Sequence, residues 1–334
     1  MRDESINRLL VGVLFILSFA PAVAAVEKDG QRSDGNPMRK FQFEYQAALA
    51  DVPAGAKVRV WLPVPPTNEH QTVELIKQEL PTKAQTGTDP VYRNKILYFE
   101  TEAPASGKIP FGVTYLVERQ EVRGLDGKAG GRLSATDRRV FLSPNKKVPL
   151  SGKQLDLLQG IDLPRTTVDL ARVLYDRVDA HVKYDKSRPG YGNGDVNWVC
   201  DSRFGNCTDF HSLFISWARA KGVPTRFEIG FPLPPEKTEG KIAGYHCWAL
   251  FYDKMNGWVP VDISEADKHP TLKEYYFGNL TKDRVAFTTG RDLELVPPQN
   301  GPPLNYFVYP YVEVDGKPWP KRNTELMFSF SDMR

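Results

Sequence analysis

The sequence predicts an α+β protein, in which an N-terminal antiparallel β-sandwich precedes a unit made of a helix packed on an antiparallel sheet. Three observations predict it. Apolar residues recur with period two through the first third of the chain, the period changes to that of a helix from about residue 150, and period two returns after residue 225. With 334 residues, 41% hydrophobic and 11% aromatic, the chain can bury two cores and is not globally disordered. Lys+Arg number 44 against Asp+Glu 41, a net charge of +3. That is too mild for a phosphate-neutralising surface, so nucleic acid is not an expected partner.

Residues 1–24 read as a signal peptide. The apolar run 9–20 is too short to span a bilayer, which takes roughly 20 apolar residues, and Ala22-Val23-Ala24 supplies a small-residue cleavage site. Arg2 and Arg8 are offset by Asp3 and Glu4, so an uncleaved anchor is the alternative. Cleavage leaves the charge at +3, and an exported protein, periplasmic or extracellular, with no stable membrane insertion is expected. Residues 27–36 read as a polar leader.

The sandwich is expected over 37–145. Phe41, Phe43 and Tyr45 alternate with polar neighbours, and Val58, Val60, Leu62 and Val64 do so before the Pro65-Pro66 stop. The run 96–99 and the alternation Phe111, Val113, Tyr115, Val117 add further strands. Four glycines between Gly124 and Gly131 mark a loop or link.

The second unit is expected over 150–334, including the C-terminal strands near 304–314 and 325–330. Val168, Ala171, Leu174, Tyr175, Val178 and Val182 share a helix face after Leu163-Pro164, with Thr166 or Thr167 as cap. A loop is expected over 187–205. Phe210, Leu213, Phe214, Trp217 and Ala218 then define a second helix that starts at Asn206 or Cys207 and stops at Lys221-Gly222. Strands follow: Phe227, Ile229 and Phe231; then His246, Trp248, Leu250 and Tyr252; then Trp258, Pro260 and Asp262.

Only Cys200, Cys207 and Cys247 are cysteines, too few for a disulfide-rich scaffold, and the odd count leaves at least one thiol unpaired within the chain. Cys207 falls in the first turn of a helix, where free backbone N–H groups and the helix dipole favour a thiolate. His246 and Asp262 lie on successive strands. If they stand directly opposite each other, the connecting loop centres on residue 254; a tight turn at Asn256-Gly257 would put them on different faces. A thiolate that attacks a carbonyl, an imidazole that holds and returns the proton, and a carboxylate that fixes the imidazole make the apparatus of acyl transfer. The triad Cys207, His246 and Asp262 is therefore the candidate site.

Four motifs now resemble a known family: Gly205-Asn206-Cys207-Thr208-Asp209-Phe210-His211, Ala220-Lys221-Gly222-Val223-Pro224-Thr225-Arg226, Tyr245-His246-Cys247-Trp248, and Gly257-Trp258-Val259-Pro260-Val261-Asp262. In this order they are similar to the core of the bacterial transglutaminase-like superfamily over roughly 165–290. The resemblance implies a papain-like α+β core with Cys207 as nucleophile, His246 as base and Asp262 as orienting carboxylate. It covers transglutaminases, cysteine peptidases, amidases and inactive relatives, and does not choose among them.

Other residues carry two readings. Trp198, with Asn197, is a candidate second oxyanion donor beside the Cys207 N–H, and packing is its rival role. Trp248 either walls the substrate groove or fills the core, whereas Trp217 and Trp258 read as core. Strand parity turns Cys247 away from His246 and out of the chemistry. A Cys200–Cys247 disulfide and a Cys200–Cys207 bridge stay open, and His211 reads as groove-lining or hydrogen-bonded. A zinc site from Cys200, Cys207, His211 and Cys247 lacks paired short spacing. Asp253, Glu265, Asp267 and Asp283 show no calcium-loop spacing, so no metal is expected, and no phosphate loop or dinucleotide fingerprint points to a cofactor. Acyl transfer on peptide or side-chain amides of a peptide or protein substrate is the expected function. Hydrolysis has the edge over amine transfer, because no dry tunnel is announced. The rival is a non-catalytic peptide-binding or redox-sensing envelope protein.

Overall fold

A computed structural model describes residues 35–127 and 130–333. The signal and most of the leader lie outside them, and so do Lys128 and Ala129 of the glycine-rich run. Among the described residues no helix is long and apolar enough to cross a membrane.

The sandwich strands form where alternation predicts them. Met38–Leu49 buries Phe41, Phe43 and Tyr45 on one face and pairs with Ile109–Gln120, which buries Phe111, Val113, Tyr115 and Val117. Lys57–Val64 pairs with Lys95–Glu102 in the facing sheet. Each sheet has five strands, and the remaining members explain a departure from the expected boundary. Thr324–Asp332 pairs with the free edge of Met38–Leu49, and Glu239–Ile242 extends from it in turn. Tyr311–Val314 and Lys317–Pro318 complete the other sheet beside Lys57–Val64. The C-terminal strands thus finish the N-terminal sandwich instead of the second unit.

Packing gives the reason. Phe328 and Phe330 are buried along Thr324–Asp332, and Phe328 meets Tyr45 edge-on at 4.8 Å and lies tilted at 4.4 Å from Phe231 of the second unit. Phe43 lies 5.2 Å from Phe231 and 5.5 Å from Phe287. Each such phenylalanine contributes roughly 1.5–3 kcal/mol on burial. One continuous apolar cluster joins both units.

The second unit has a four-stranded antiparallel sheet in the order Gly257–Val261, His246–Asp253, Thr225–Pro232, Arg284–Thr289. Thr167–His181 is capped by the Thr166 hydroxyl, which accepts from the Asp169 N–H. The helix Cys207–Ala220 lies against the sheet, with Phe214 6.5 Å from Phe251. The expected stripe understates its burial, since every residue from Cys207 to Arg219 is buried. Its polar residues are satisfied one by one: Ser212 donates to the Thr208 carbonyl, Trp217 to that of Gln154, and Arg219 to those of Thr225 and Ser143. Part of the expected loop 187–205 is the helix Val196–Ser202, capped by Asp195. Asp262 caps another short helix, Ile263–Lys268.

Candidate active site

Cys207 is the first residue of its helix because Asn206 and Asp209 close a capping box. The Asn206 side chain accepts from the Thr208 N–H at 2.9 Å, and the Asp209 carboxylate accepts from the Asn206 N–H at 2.9 Å. Asp209 also accepts from the N–H groups of Gly192 at 2.7 Å and Gly194 at 2.9 Å, so one buried carboxylate anchors the preceding loop to the Cys207 turn. Burial pushes this carboxyl up despite its three donors. Gly194 has φ +57°, and a Cβ there would stand 2.3 Å from the Ser212 hydroxyl oxygen, so the loop passes where only glycine fits. Arg291 donates from above to the carbonyls of Asn193 and Gly194 and to Ser212.

His246 opens its strand, and its Nε2 meets Asp262 Oδ2 at 2.8 Å. That bond leaves Nδ1 for the thiol. The hairpin register differs from the expected one by a single step of two residues: Ala249 faces Val261 and Asp253 faces Gly257, so the loop is 254–256 and centres on residue 255. Gly257, at φ 72°, closes it, and Asp253 accepts from the N–H groups of Met255 and Asn256. The parity that puts His246 and Asp262 on the same side survives this shift. The tight turn at Asn256-Gly257 is not formed. Asp262, one residue past the strand end, is diagonal to His246 and reaches it from the helix cap position.

Asp262 is fully buried and has further donors: Arg284 at 3.0 Å, the Glu265 N–H at 3.3 Å and the Ser264 hydroxyl at 3.4 Å. Burial alone would raise its pKa, but the His246 and Arg284 cations hold it well below the usual carboxylate range. Burial would likewise lower the His246 imidazole, yet Asp262 and the thiol raise it to about 10. For Cys207 desolvation pulls upward, and hydrogen bonds from Cys247 and His246 together with the imidazole charge outweigh it, so the thiol falls well below its ordinary value. Both shifts act in favour of a thiolate–imidazolium pair. Cys207 is 2% exposed and His246 5%, so the sulfur is enclosed in this conformation.

Cys247 is a correction. Parity does put it on the face opposite His246, but that face carries the Cys207 helix. Its sulfur lies 3.8 Å from the Thr208 hydroxyl and 3.8 Å from His211 Nδ1, and burial together with the neighbouring Cys207 thiol pushes its own thiol well up. His246 instead reaches the sulfur from the end of the strand, where facing no longer decides proximity. All three cysteines are free, so neither open disulfide is formed. Burial pushes the Cys200 thiol to about 11.

Trp248 corrects the groove reading. It is fully buried on the far face beside Leu250 and Ala286, its indole donates to Glu228 at 2.8 Å, and Arg284 lies 4.9 Å over its ring. It supports the residue that holds Asp262 and lines no groove. Trp198 packs edge-on against Phe204 at 5.2 Å and along Gly190; among the described residues no hydrogen bond joins its indole to the Cys207 group. Asn197 is exposed. Trp217 is core as expected, and Trp258 is half-buried under Arg226.

Arg284, Glu265 and Tyr245 were not legible as site residues. Tyr245 accepts from Asn206 Nδ2 at 3.0 Å and shares a bond of 2.9 Å with the Thr208 hydroxyl, tying the His246 strand to the Cys207 turn. Its only sequence signal is its place beside His246. One atom from each of His246, Asp262 and Glu265 lies within 4.8 Å of the others, a spacing that could hold a metal ion. An ion there would compete with Arg284 for Asp262 and with Lys268 for Glu265.

The arrangement, a thiol at a buried helix start with imidazole and carboxylate brought from an antiparallel sheet, is that of a papain-like α+β core. Residues 156–263 match the family model of the transglutaminase-like superfamily. An uncharacterized protein of Haemophilus influenzae is 33% identical over 170 residues, which are 41% of this chain and 46% of that protein, so the match spans about half the length of the relative. The crystal structure of a proposed cysteine protease from Cytophaga hutchinsonii is similar across 88% of this chain and 98% of its own, with 17% identity and a TM-score of 0.54. This is a likeness of fold. The periplasmic domain of TgpA from Pseudomonas aeruginosa is 15% identical, with a TM-score of 0.35, over 71% of this chain and 90% of that domain.

Proposed function

We propose that the chain is a thiol-dependent acyl-transfer enzyme, acting on peptide or side-chain amides through Cys207, His246 and Asp262 after export. The observation that carries the reading is the 2.8 Å bond between His246 Nε2 and Asp262, which leaves the other imidazole nitrogen available to the thiol at the helix start. In the proposed cycle the Cys207 thiolate attacks the amide carbonyl carbon, and the oxyanion is met by the Cys207 N–H, one of the donors a helix leaves unpaired. The C–N bond breaks as His246 Nδ1–H protonates the departing amine, leaving a thioester. Water, or a second amine, adds to the thioester while Nδ1 takes its proton, and the thiolate departs. Asp262 keeps Nε2–H engaged throughout and compensates the imidazolium charge. Hydrolysis is the favoured branch.

The enclosed sulfur favours a second reading, a peptide-binding module that retains the core without turnover. Treatment of the purified protein with iodoacetamide at neutral pH, with peptide mapping by mass spectrometry, separates the two. Rapid, selective modification of Cys207 that is lost in His246→Ala supports the enzyme. An unreactive Cys207 in the folded protein refutes it. Incubation with peptide mixtures, with and without a primary amine, then reads cleavage, deamidation or amine incorporation as different mass changes.

A further inference from the structure

We infer that His211 is a positioning residue, whose imidazole ties the first turn of the Cys207 helix to the first turn of the Asp262-capped helix and so sets how thiol and carboxylate converge on His246. The inference deepens the acyl-transfer reading and rests on it. His211 is fully buried one helical turn beyond Cys207. Its two ring nitrogens have different partners. Nδ1 lies 2.7 Å from the Cys207 carbonyl, and the Ile263 backbone N–H lies 3.0 Å from Nε2.

A carbonyl can only accept and a backbone N–H can only donate, so the pair of contacts selects one form: proton on Nδ1, lone pair on Nε2. No other state satisfies both. An imidazolium would point Nε2–H at the Ile263 N–H, and the opposite tautomer would also set a lone pair against the Cys207 carbonyl. Burial opposes the cation as well, in competition with Asp262, whose Oδ1 is 3.9 Å from Nε2. The other titratable groups that bear on the ring are Cys207, His246 and the Cys247 thiol, whose sulfur is 3.8 Å from Nδ1.

What the ring joins makes the clamp specific to the site. Cys207 begins one helix and Asp262 is the cap of the other, so the two bonded backbone groups belong to the nucleophile itself and to the residue directly after the carboxylate. Without the ring, the Ile263 N–H loses a buried acceptor, and the Asp262 cap is free to rotate away from Nε2 of His246. His211 touches neither substrate nor the reacting sulfur's leaving group in this scheme and acts through its neighbours.

The test follows the rate of Cys207 alkylation by iodoacetamide against pH, mapped by mass spectrometry, in the whole protein and in His211→Phe and His211→Gln, with thermal denaturation alongside. The wild-type midpoint is expected well below that of an ordinary thiol. His211→Phe is expected to raise it by about one pH unit, a tenfold loss of rate below the midpoint. His211→Gln, which has both a donor and an acceptor, is expected to recover part of that shift. A folded His211→Phe with the wild-type midpoint overturns the inference and leaves the triad reading standing; an ordinary midpoint in wild type overturns both. Should His211→Phe not fold, ¹⁵N-histidine NMR of the wild type decides. A neutral His211 protonated at Nδ1 throughout the neutral range is expected, and an Nε2–H tautomer or an imidazolium refutes the clamp.

Discussion

Asp262→Asn is the most informative single change. Asparagine caps helices about as well as aspartate, so the turn that begins Ile263–Lys268 keeps its side-chain acceptor. What disappears is a buried negative charge 2.8 Å from His246 and 3.0 Å from Arg284. An opposite charge at such a distance moves a pKa by about one to three units. His246 should therefore fall from its raised value, and the Cys207 thiolate, which depends on the imidazolium, should rise by a similar amount. At 1.36 kcal/mol per unit this is about 1.4–4 kcal/mol of lost ion-pair stabilisation. A two-unit rise means about a hundredfold slower alkylation of Cys207 below its midpoint. Folding should suffer too, by roughly 3–5 kcal/mol, because Arg284 and His246 stay buried without their counter-charge. The pH dependence has a definite sign. A carboxylate held below its unfolded value stabilises the fold above about pH 4, and this is lost as pH falls through the depressed value, so the variant should show a shallower acid limb. Alkylation profiles and thermal denaturation between acid and neutral pH measure both effects. A folded Asp262→Asn with the wild-type alkylation midpoint would refute the reasoning, since the carboxylate would then not govern the imidazole.

Two further outcomes are expected. Cys247→Ala removes a thiol donor beside the Cys207 sulfur and should raise the alkylation midpoint of Cys207, with Cys247→Ser between it and wild type; equal midpoints in all three would show that Cys247 is only packed there. Deleting residues 321–334 strips a strand from within a sandwich sheet, uncovers Tyr45 and Phe231, on which Phe328 packs, and removes the buried Phe330 beside Phe43. The two phenylalanines alone account for roughly 3–6 kcal/mol, comparable with a domain's whole stability, so the truncated chain should lose cooperative thermal unfolding. A sharp transition near the wild-type temperature would contradict the shared core.

Local pattern carried much of the architecture. Phe41, Phe43 and Tyr45 could be assigned to a strand face because alternation is a property of neighbouring residues, and the apolar spacing from Phe210 to Ala218 placed the helix start at Asn206 or Cys207, where the structure has it. The two-residue offset in the 246–262 hairpin was not legible, since Asp253 and Gly257 share a three-residue loop that sequence spacing alone does not select. The partners of the last strand were equally hidden. Its edge pairing joins Phe330 to Phe43, nearly 290 positions away, and alternation says which face is apolar but not which sheet receives it.

The site divides in the same way. Sequence by itself determined the thiol at a helix start and the parity that lets an imidazole and a carboxylate stand on one side of a hairpin, because both follow from periodicity over a few residues. Tertiary structure decided that Cys247 joins the thiol, that Trp248 turns its ring to Glu228 and Arg284, and that His211 spans two helix starts. Those contacts depend on how the helix sits over the sheet and where each strand ends, which is set by the packing of distant apolar faces and leaves no trace in local spacing.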